Sequence, residues 1–139
     1  MIRRLSRFRK LHAHERRLLI QAAPLLVRSI FFLKLFGFKR AFAEFNNLKP
    51  ATRGAVPAER LDEYAQAIRR ASNGLGIGTC LSMSLALREL LLRNGIESEF
   101  RIGVDKVGDE FSAHAWLECD GRPIGEVVPA DYRVFADLR

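Results

Sequence analysis

The segment from Cys80 to Arg93 constrains the fold more than any other part of the sequence. Thr79 suits the N-cap position in front of it, and Asn94-Gly95 supplies a C-terminal stop, so a helix is predicted between them. A helix that is apolar nearly all round must be buried on most sides. We therefore predict that this helix is central to the fold. Its apolar residues are Leu81, Met83, Leu85, Ala86, Leu87, Leu90, Leu91 and Leu92.

After Gly95 the hydrophobic pattern changes from a helical period to alternation, which is typical of strands. A polar turn is predicted between the first two strands, and Asp120-Gly121 is a strong signal for a hairpin turn before the third. Gly125 fits a bulge within the third strand. Helices followed by an antiparallel meander predict an α+β fold. The predicted strands are Glu97–Val104, Phe111–Cys119 and Arg122–Val128, with the polar turn at Lys106–Glu110.

The first half of the chain is predicted to be helical. Helices are expected at about residues 13–22 and 24–46, because Pro24 can occupy the first turn of a helix, with a break at Gly37. Residues 58–72 form an amphipathic pattern and follow a loop at 47–57. The length suggests a single domain, residues 1–139, with a helical part (1–72) and a part containing the central helix and the sheet (73–139).

The chain is basic, with 23 Lys and Arg against 16 Asp and Glu and a formal charge of +7. The excess is concentrated in residues 1–17, where Glu15 is the only acid. Such a segment leaves open a non-catalytic binding module for a membrane surface or a nucleic acid. Its basic residues are Arg3, Arg4, Arg7, Arg9, Lys10, Arg16 and Arg17.

The most membrane-like segment is Leu18–Phe38, which Pro24, Arg28 and Lys34 interrupt. A transmembrane helix is not predicted, because an unbroken apolar run of roughly 20 residues is missing. A surface-associated amphipathic helix stays open as an alternative. No convincing secretory signal is found, so a cytoplasmic location is expected.

Cys80 is the candidate nucleophile. A thiol in the first turn of a helix lies at the positive end of the helix dipole, which favours the thiolate. A cysteine nucleophile also needs a base, and His114 is the candidate because His12 and His14 lie in the basic N-terminal segment. Cys119 is expected to be structural, and a bridge between it and Cys80 is not expected.

The alternation of side chains along the strand that contains His114 predicts which residues lie beside it. Alternate residues of a strand share a face, so Trp116 and Glu118 are expected beside His114, with Trp116 as a wall of the site that contacts substrate. The hairpin would pair His114 with a residue between Ile124 and Val127, where Glu126 is the only acid. A carboxylate there would orient the imidazole, and Asp120 is the fallback.

Each of these residues also has an ordinary structural explanation. A lone cysteine on an apolar helix is usually a core residue, a strand histidine is usually structural, and Glu126 alone would be a solvated charge. The three together favour a catalytic triad. Neither the ligand spacing of structural zinc nor a phosphate-binding motif is present, so no metal and no cofactor are expected.

Two stretches, GTCLSMSLALRELLLRNGIESEFRIGV and FSAHAWLECDGRPIGE, carry a resemblance to a known family. They resemble the transglutaminase-like cysteine peptidases of lasso-peptide biosynthesis, which are related to the C-terminal domain of the microcin J25-processing protein. The resemblance covers about Leu75 to Val128 and implies a papain/transglutaminase-like fold. It places the family's cysteine on Cys80 and its histidine on His114. The third family position usually holds aspartate and falls on Glu126 here.

The resemblance also implies a function. Members of this family remove the leader from a ribosomally made precursor peptide, and a separate ATP-dependent cyclase then closes the macrolactam. The chain looks like the stand-alone peptidase, so its expected partners are the precursor peptide, a separate small leader-recognition protein and the cyclase, with no nucleic acid. The same triad would also serve a transglutaminase that transfers the acyl group to an amine, and this alternative stays open.

Overall fold

The computed structural model describes residues 6, 9–46, 58–107, 109–119, 121–125 and 133–138. Three long helices precede an antiparallel sheet, which is the predicted α+β order. The elements are α1 (Ala13–Asn46), α2 (Ala58–Leu75), α3 (Cys80–Arg93), β1 (Glu99–Val107), β2 (Glu110–Cys119), β3 (Arg122–Pro123) and β4 (Arg133–Leu138).

α1 corrects one prediction and confirms another. Pro24 lies inside the helix and does not begin a new one. The helix continues through it because Ala22 and Leu25, on either side, are both buried in the same core. The predicted break at Gly37 is confirmed, since its backbone has φ 77° and ψ 173°. By length and composition alone, Ala13–Gly37 could cross a membrane. In its most apolar stretch of 18 residues, 28% is buried inside the domain.

α3 is the central helix, as predicted. It begins and ends at the predicted residues, and Leu85, Ala86 and Leu90 are completely buried. A single hydrophobic cluster contains residues from all three helices and from the sheet, including Leu26, Ile68 and Leu117. α2 runs three residues beyond its predicted end at Ser72 and stops before Gly76, whose φ of 67° is left-handed.

The sheet differs from the predicted meander in three places. The β1–β2 ladder extends to Val107 and Glu110, so the turn is shorter than Lys106–Glu110. β4, for which no strand was predicted, pairs antiparallel with β1 and gives the order β3-β2-β1-β4 among the described residues. β3 has only two residues where Arg122–Val128 was predicted.

After β3 the chain contacts α2 at Gly125. Gly125 adopts a left-handed φ of 73° and lies against α2, where its amide donates to Asp62 Oδ1 (3.1 Å) and its carbonyl accepts from Arg69 (2.7 Å). A Cβ at this position would lie 2.4 Å from the Cβ of Ala65. Gly125 is therefore the residue at which the chain after β3 contacts α2.

Candidate active site

Cys80 is the first residue of α3, and the residues around it fix the start of the helix. Thr79 is the N-cap, with extended backbone angles (φ −120°, ψ 170°). Its hydroxyl accepts from the Ser82 amide at 3.3 Å, while the Ser82 hydroxyl accepts from the Thr79 amide at 2.8 Å. This reciprocal pair is a capping box, which satisfies two backbone donors at the helix start and sets the direction of its first turn.

The loop in front of Cys80 is held against the end of α2. The Ser72 hydroxyl donates to the carbonyl of Ile77, and a Cβ on Gly78 would lie only 2.9 Å from that hydroxyl oxygen. Gly78 also has a left-handed φ of 113°. Both this backbone conformation and the short distance to Ser72 favour glycine at this position. The Cys80 thiol itself is exposed and free, which leaves it accessible to a substrate.

A side-chain bond fastens α3 to the strand that contains His114. The hydroxyl of Ser84, one helical turn beyond Cys80, donates to the backbone carbonyl of Ala115 at 3.1 Å. Ser84 is buried, and Ala115 is the immediate neighbour of His114. The first two turns of α3 therefore lie against the part of β2 that holds the candidate base. That the Cys80 sulfur and the His114 ring meet in one site stays a prediction.

His114 lies on the strand face predicted for it. Ala115 and Leu117 are buried in the core cluster, while His114 is half-buried on the opposite face with Trp116 and Glu118. The rings of His114 and Trp116 are stacked, with centroids 5.9 Å apart and planes 17° apart. Trp116 is only 3% exposed, so its ring supports the imidazole and does not form an open wall of the site.

A network of polar contacts continues from Trp116 along the sheet. Its indole N–H donates to Glu118 Oε1 at 3.1 Å, and Arg101 Nε donates to Glu118 Oε2 at 3.2 Å. Arg101 also bonds the Glu99 carboxylate. Each Glu118 oxygen thus accepts one hydrogen bond, from Trp116 or from Arg101 of β1. Glu118 therefore helps to fix the tryptophan that stacks on His114.

Sequence reasoning missed two of these residues. Ser84 is a polar position in an apolar helix, and its bond to Ala115 leaves no signal within α3. Arg101 lies opposite Trp116 in the β1–β2 register, which only the strand pairing shows. In each case the partner lies on a different element of the fold.

The predicted acids, Glu126 and Asp120, lie outside the described residues. The described β2–β3 ladder runs from Cys119–Arg122 to Glu118–Pro123, with one further backbone bond from the Ile124 amide to the Leu117 carbonyl (2.8 Å). Gly125 then contacts α2. The pairing that would bring Glu126 to His114 lies beyond these residues, so the assignment of Glu126 stays a prediction.

Cys119 lies at the end of β2, away from the start of α3 in the sequence. Cys119 is partly exposed and forms no disulfide, and its sulfur lies 3.7 Å from the carbonyl oxygen of Glu97. Within the described ranges, no three His, Cys, Asp or Glu side chains are grouped so that they could hold a metal ion.

Comparison with known proteins identifies the superfamily of the chain. The model of the transglutaminase-like superfamily matches residues 25–139, which includes α2, α3 and the whole described sheet. Searches of curated proteins and of solved structures find no match. Because the superfamily model covers most of the sequence, the chain belongs to the transglutaminase-like superfamily, whose members are typically cysteine-based enzymes of the peptidase and acyltransferase type.

Proposed function

We propose that this protein is a cysteine peptidase that removes the leader from a lasso-peptide precursor before macrolactam cyclisation. The observation that carries the proposal is the position of Cys80: an exposed thiol at the capped start of a buried helix, which Ser84 bonds to the backbone of Ala115, the residue after His114. Superfamily membership supports the cysteine chemistry. The choice of a precursor peptide as substrate rests on the resemblance of the sequence around Cys80 and His114 to the cysteine peptidases of lasso-peptide biosynthesis.

The proposed reaction is acyl transfer to water. His114 accepts the Cys80 proton, and the thiolate attacks the carbonyl carbon of the peptide bond between leader and core. The imidazolium then gives its proton to the leaving core amine as the C–N bond breaks, which leaves the leader as a thioester on Cys80. Water, deprotonated by His114, attacks the thioester and releases the leader carboxylate and the free thiol.

The start of α3 supplies the first donor for the oxyanion. The first N–H groups of a helix have no intrahelical acceptor, so the Cys80 amide is available to a negative oxygen that forms next to its own sulfur. Trp116 holds the imidazole by stacking. Glu126, with Asp120 as the fallback, is proposed to accept the other imidazole N–H.

The proposed partners follow from the same assignment. They are the precursor peptide, a separate small protein that recognises the leader, and the ATP-dependent cyclase that consumes the freed core amine. The proposed location is the cytoplasm, where the precursor is made.

Mass spectrometry of a precursor incubated with this protein and the leader-recognition partner tests the proposal. The expected products are two fragments whose masses sum to the precursor plus one water. Cys80→Ala is expected to abolish cleavage, and His114→Ala to reduce it by at least about a thousandfold. Cys119→Ala is the matched control, because it removes the other cysteine of the chain and should leave cleavage unchanged.

Other outcomes would replace the proposal. A loss of ammonia with a new amide cross-link that depends on Cys80 would mean acyl transfer to an amine, which the superfamily also includes. If Cys80→Ala retains full cleavage, the peptidase assignment is wrong.

A further inference from the structure

The outward face of α1 is apolar where a surface helix is normally polar. We call it the outer face of α1, and its residues follow one another at spacings of three or four, which places them on one side of the helix. Phe31 is 60% exposed and Ile20 63% exposed. The residues of the outer face are Ile20, Pro24, Val27, Phe31 and Leu35, all exposed.

The opposite face ties α1 to the rest of the domain. Leu18, Leu25 and Leu26 are buried in the common core. Arg28 on the flank donates to the completely buried Glu89 of α3 at 2.8 Å. To cross a membrane, α1 would have to lose these contacts. While they are kept, α1 lies along the domain with its outer face exposed to the surroundings.

An open groove of about 710 Å³ lies beside the outer face, between Val27 and Phe31 of α1 and Leu75 at the end of α2. Its lining is almost entirely apolar, and its one charged residue, Arg28, is already bonded to Glu89. A peptide normally needs fixed polar groups to orient it in its site. Acyl chains need none, so this lining suits lipid better than peptide.

Positive charges stand at both ends of the outer face. Exposed cations precede Ile20 and follow Phe31, whereas Glu15 is the only acid among the described side chains of α1, and its carboxylate lies 3.5 Å from Arg70. An apolar stripe with cations at its ends matches acyl chains flanked by anionic headgroups. These cations are Arg16, Arg17, Lys34, Lys39 and Arg40.

We propose that the outer face of α1 binds the surface of an anionic lipid bilayer, with the helix axis in the plane of the membrane. The apolar side chains enter the boundary between headgroups and acyl chains, and the terminal cations meet lipid phosphates. Leu75 lies in the same surface five residues before Cys80, so binding would bring the start of α3 close to the bilayer. The proposal does not depend on the reaction at Cys80.

Co-sedimentation with vesicles tests the proposal. The full chain is mixed with vesicles of phosphatidylcholine alone or with phosphatidylglycerol added, and sedimentation is expected mainly with the anionic vesicles and to weaken as salt rises. Phe31→Glu is expected to lower the partition coefficient by at least about tenfold. Gln66→Glu adds the same charge at an exposed position of α2 and should have a much smaller effect.

Three results would overturn the proposal. The first is that the unaltered protein stays in solution with anionic vesicles. The second is that Phe31→Glu sediments no less than Gln66→Glu does. The third is a stable dimer in the absence of lipid that Phe31→Glu dissociates, since the face would then join two copies of the chain. Circular dichroism checks that Phe31→Glu is folded, and Ile20→Glu, at another exposed position of the same face, serves if it is not.

Discussion

Gly125→Ala is the most direct test of how the end of β3 docks on α2. Gly125 has a left-handed φ of 73°, and an added methyl group would lie 2.4 Å from the Cβ of Ala65. Ala65 is buried, and its Cβ has no rotamer through which to move away. The overlap can be relieved only by moving backbone.

Two costs add up at this position. A left-handed conformation costs an alanine about 1–2 kcal/mol. Overpacking against a rigid neighbour adds about 1–3 kcal/mol. Gly121 is a matched control, because its φ is 79° and an added Cβ would meet no atom within 4 Å. Gly121→Ala should therefore show only the first cost. The effect of alanine on the unfolded chain is common to both variants and cancels in the difference.

Urea denaturation of the two variants measures that difference in the free energy of unfolding. Gly125→Ala is expected to be less stable than Gly121→Ala by about 1–3 kcal/mol, with a lower midpoint at an unchanged slope. If the two variants agree within about 0.5 kcal/mol, Gly125 does not contact Ala65 closely and the docking argument fails.

Three further predictions concern α1 and the start of α3. Arg28→Ala removes one of two arginine partners of the fully buried Glu89 carboxylate, which keeps Arg93 at 2.9 Å, and is expected to lower the free energy of unfolding by about 1–3 kcal/mol in thermal denaturation. Thr79→Ala removes the N-cap and should cost about 1 kcal/mol in urea denaturation. The backbone N–H of His12 lowers the pKa of Glu15, so the stability that Glu15 contributes is present above its unfolded pKa and lost as pH falls through the folded one. The stability gap between the protein and Glu15→Gln should therefore close in acid when thermal unfolding is followed against pH.

The best-predicted part of the fold is the part with local signals. α3 begins at Cys80 because Thr79 caps it, and it ends at Arg93 because Gly95 takes a left-handed φ of 80°. The amide of Ile96 then bonds back to the carbonyl of Leu91 at 2.9 Å. Each of these interactions spans five residues or fewer, so residue type and spacing are enough to predict them.

Elements that depend on distant partners were missed or misplaced. Pro24 is a local signal for a helix start, but burial on both sides of it keeps α1 continuous. β4 exists as an antiparallel partner of β1, and the register of that pair shifts between Ile102 and Gly103. Neither the pairing nor the shift leaves a pattern within Arg133–Leu138 itself.

The candidate site also has features that local sequence patterns predict and features that depend on distant residues. The helix start at Cys80 and the shared face of His114 and Trp116 follow from helical capping and strand alternation, both of which are local. The bond from Ser84 to Ala115 joins residues 31 positions apart, and no pattern within α3 alone specifies it. The candidate nucleophile and the candidate base could therefore be selected from the sequence, whereas the contacts around them required the fold.

Gly125 shows why the third member of the triad is the hardest to predict. A glycine after Arg122-Pro123 fits two structures equally well: a bulge in a continuing strand, or a left-handed residue where the strand ends. The first would carry Glu126 along β2 towards His114. The structure gives Gly125 a left-handed φ of 73° and places its backbone against Asp62, Ala65 and Arg69 of α2, while Glu126 lies outside the described residues. Since those three residues lie 56 or more positions away, tertiary packing decides the position of Gly125. The carboxylate partner of His114 must accordingly be tested by substitution of each acid, Glu126→Gln against Asp120→Asn, with cleavage rate as the readout.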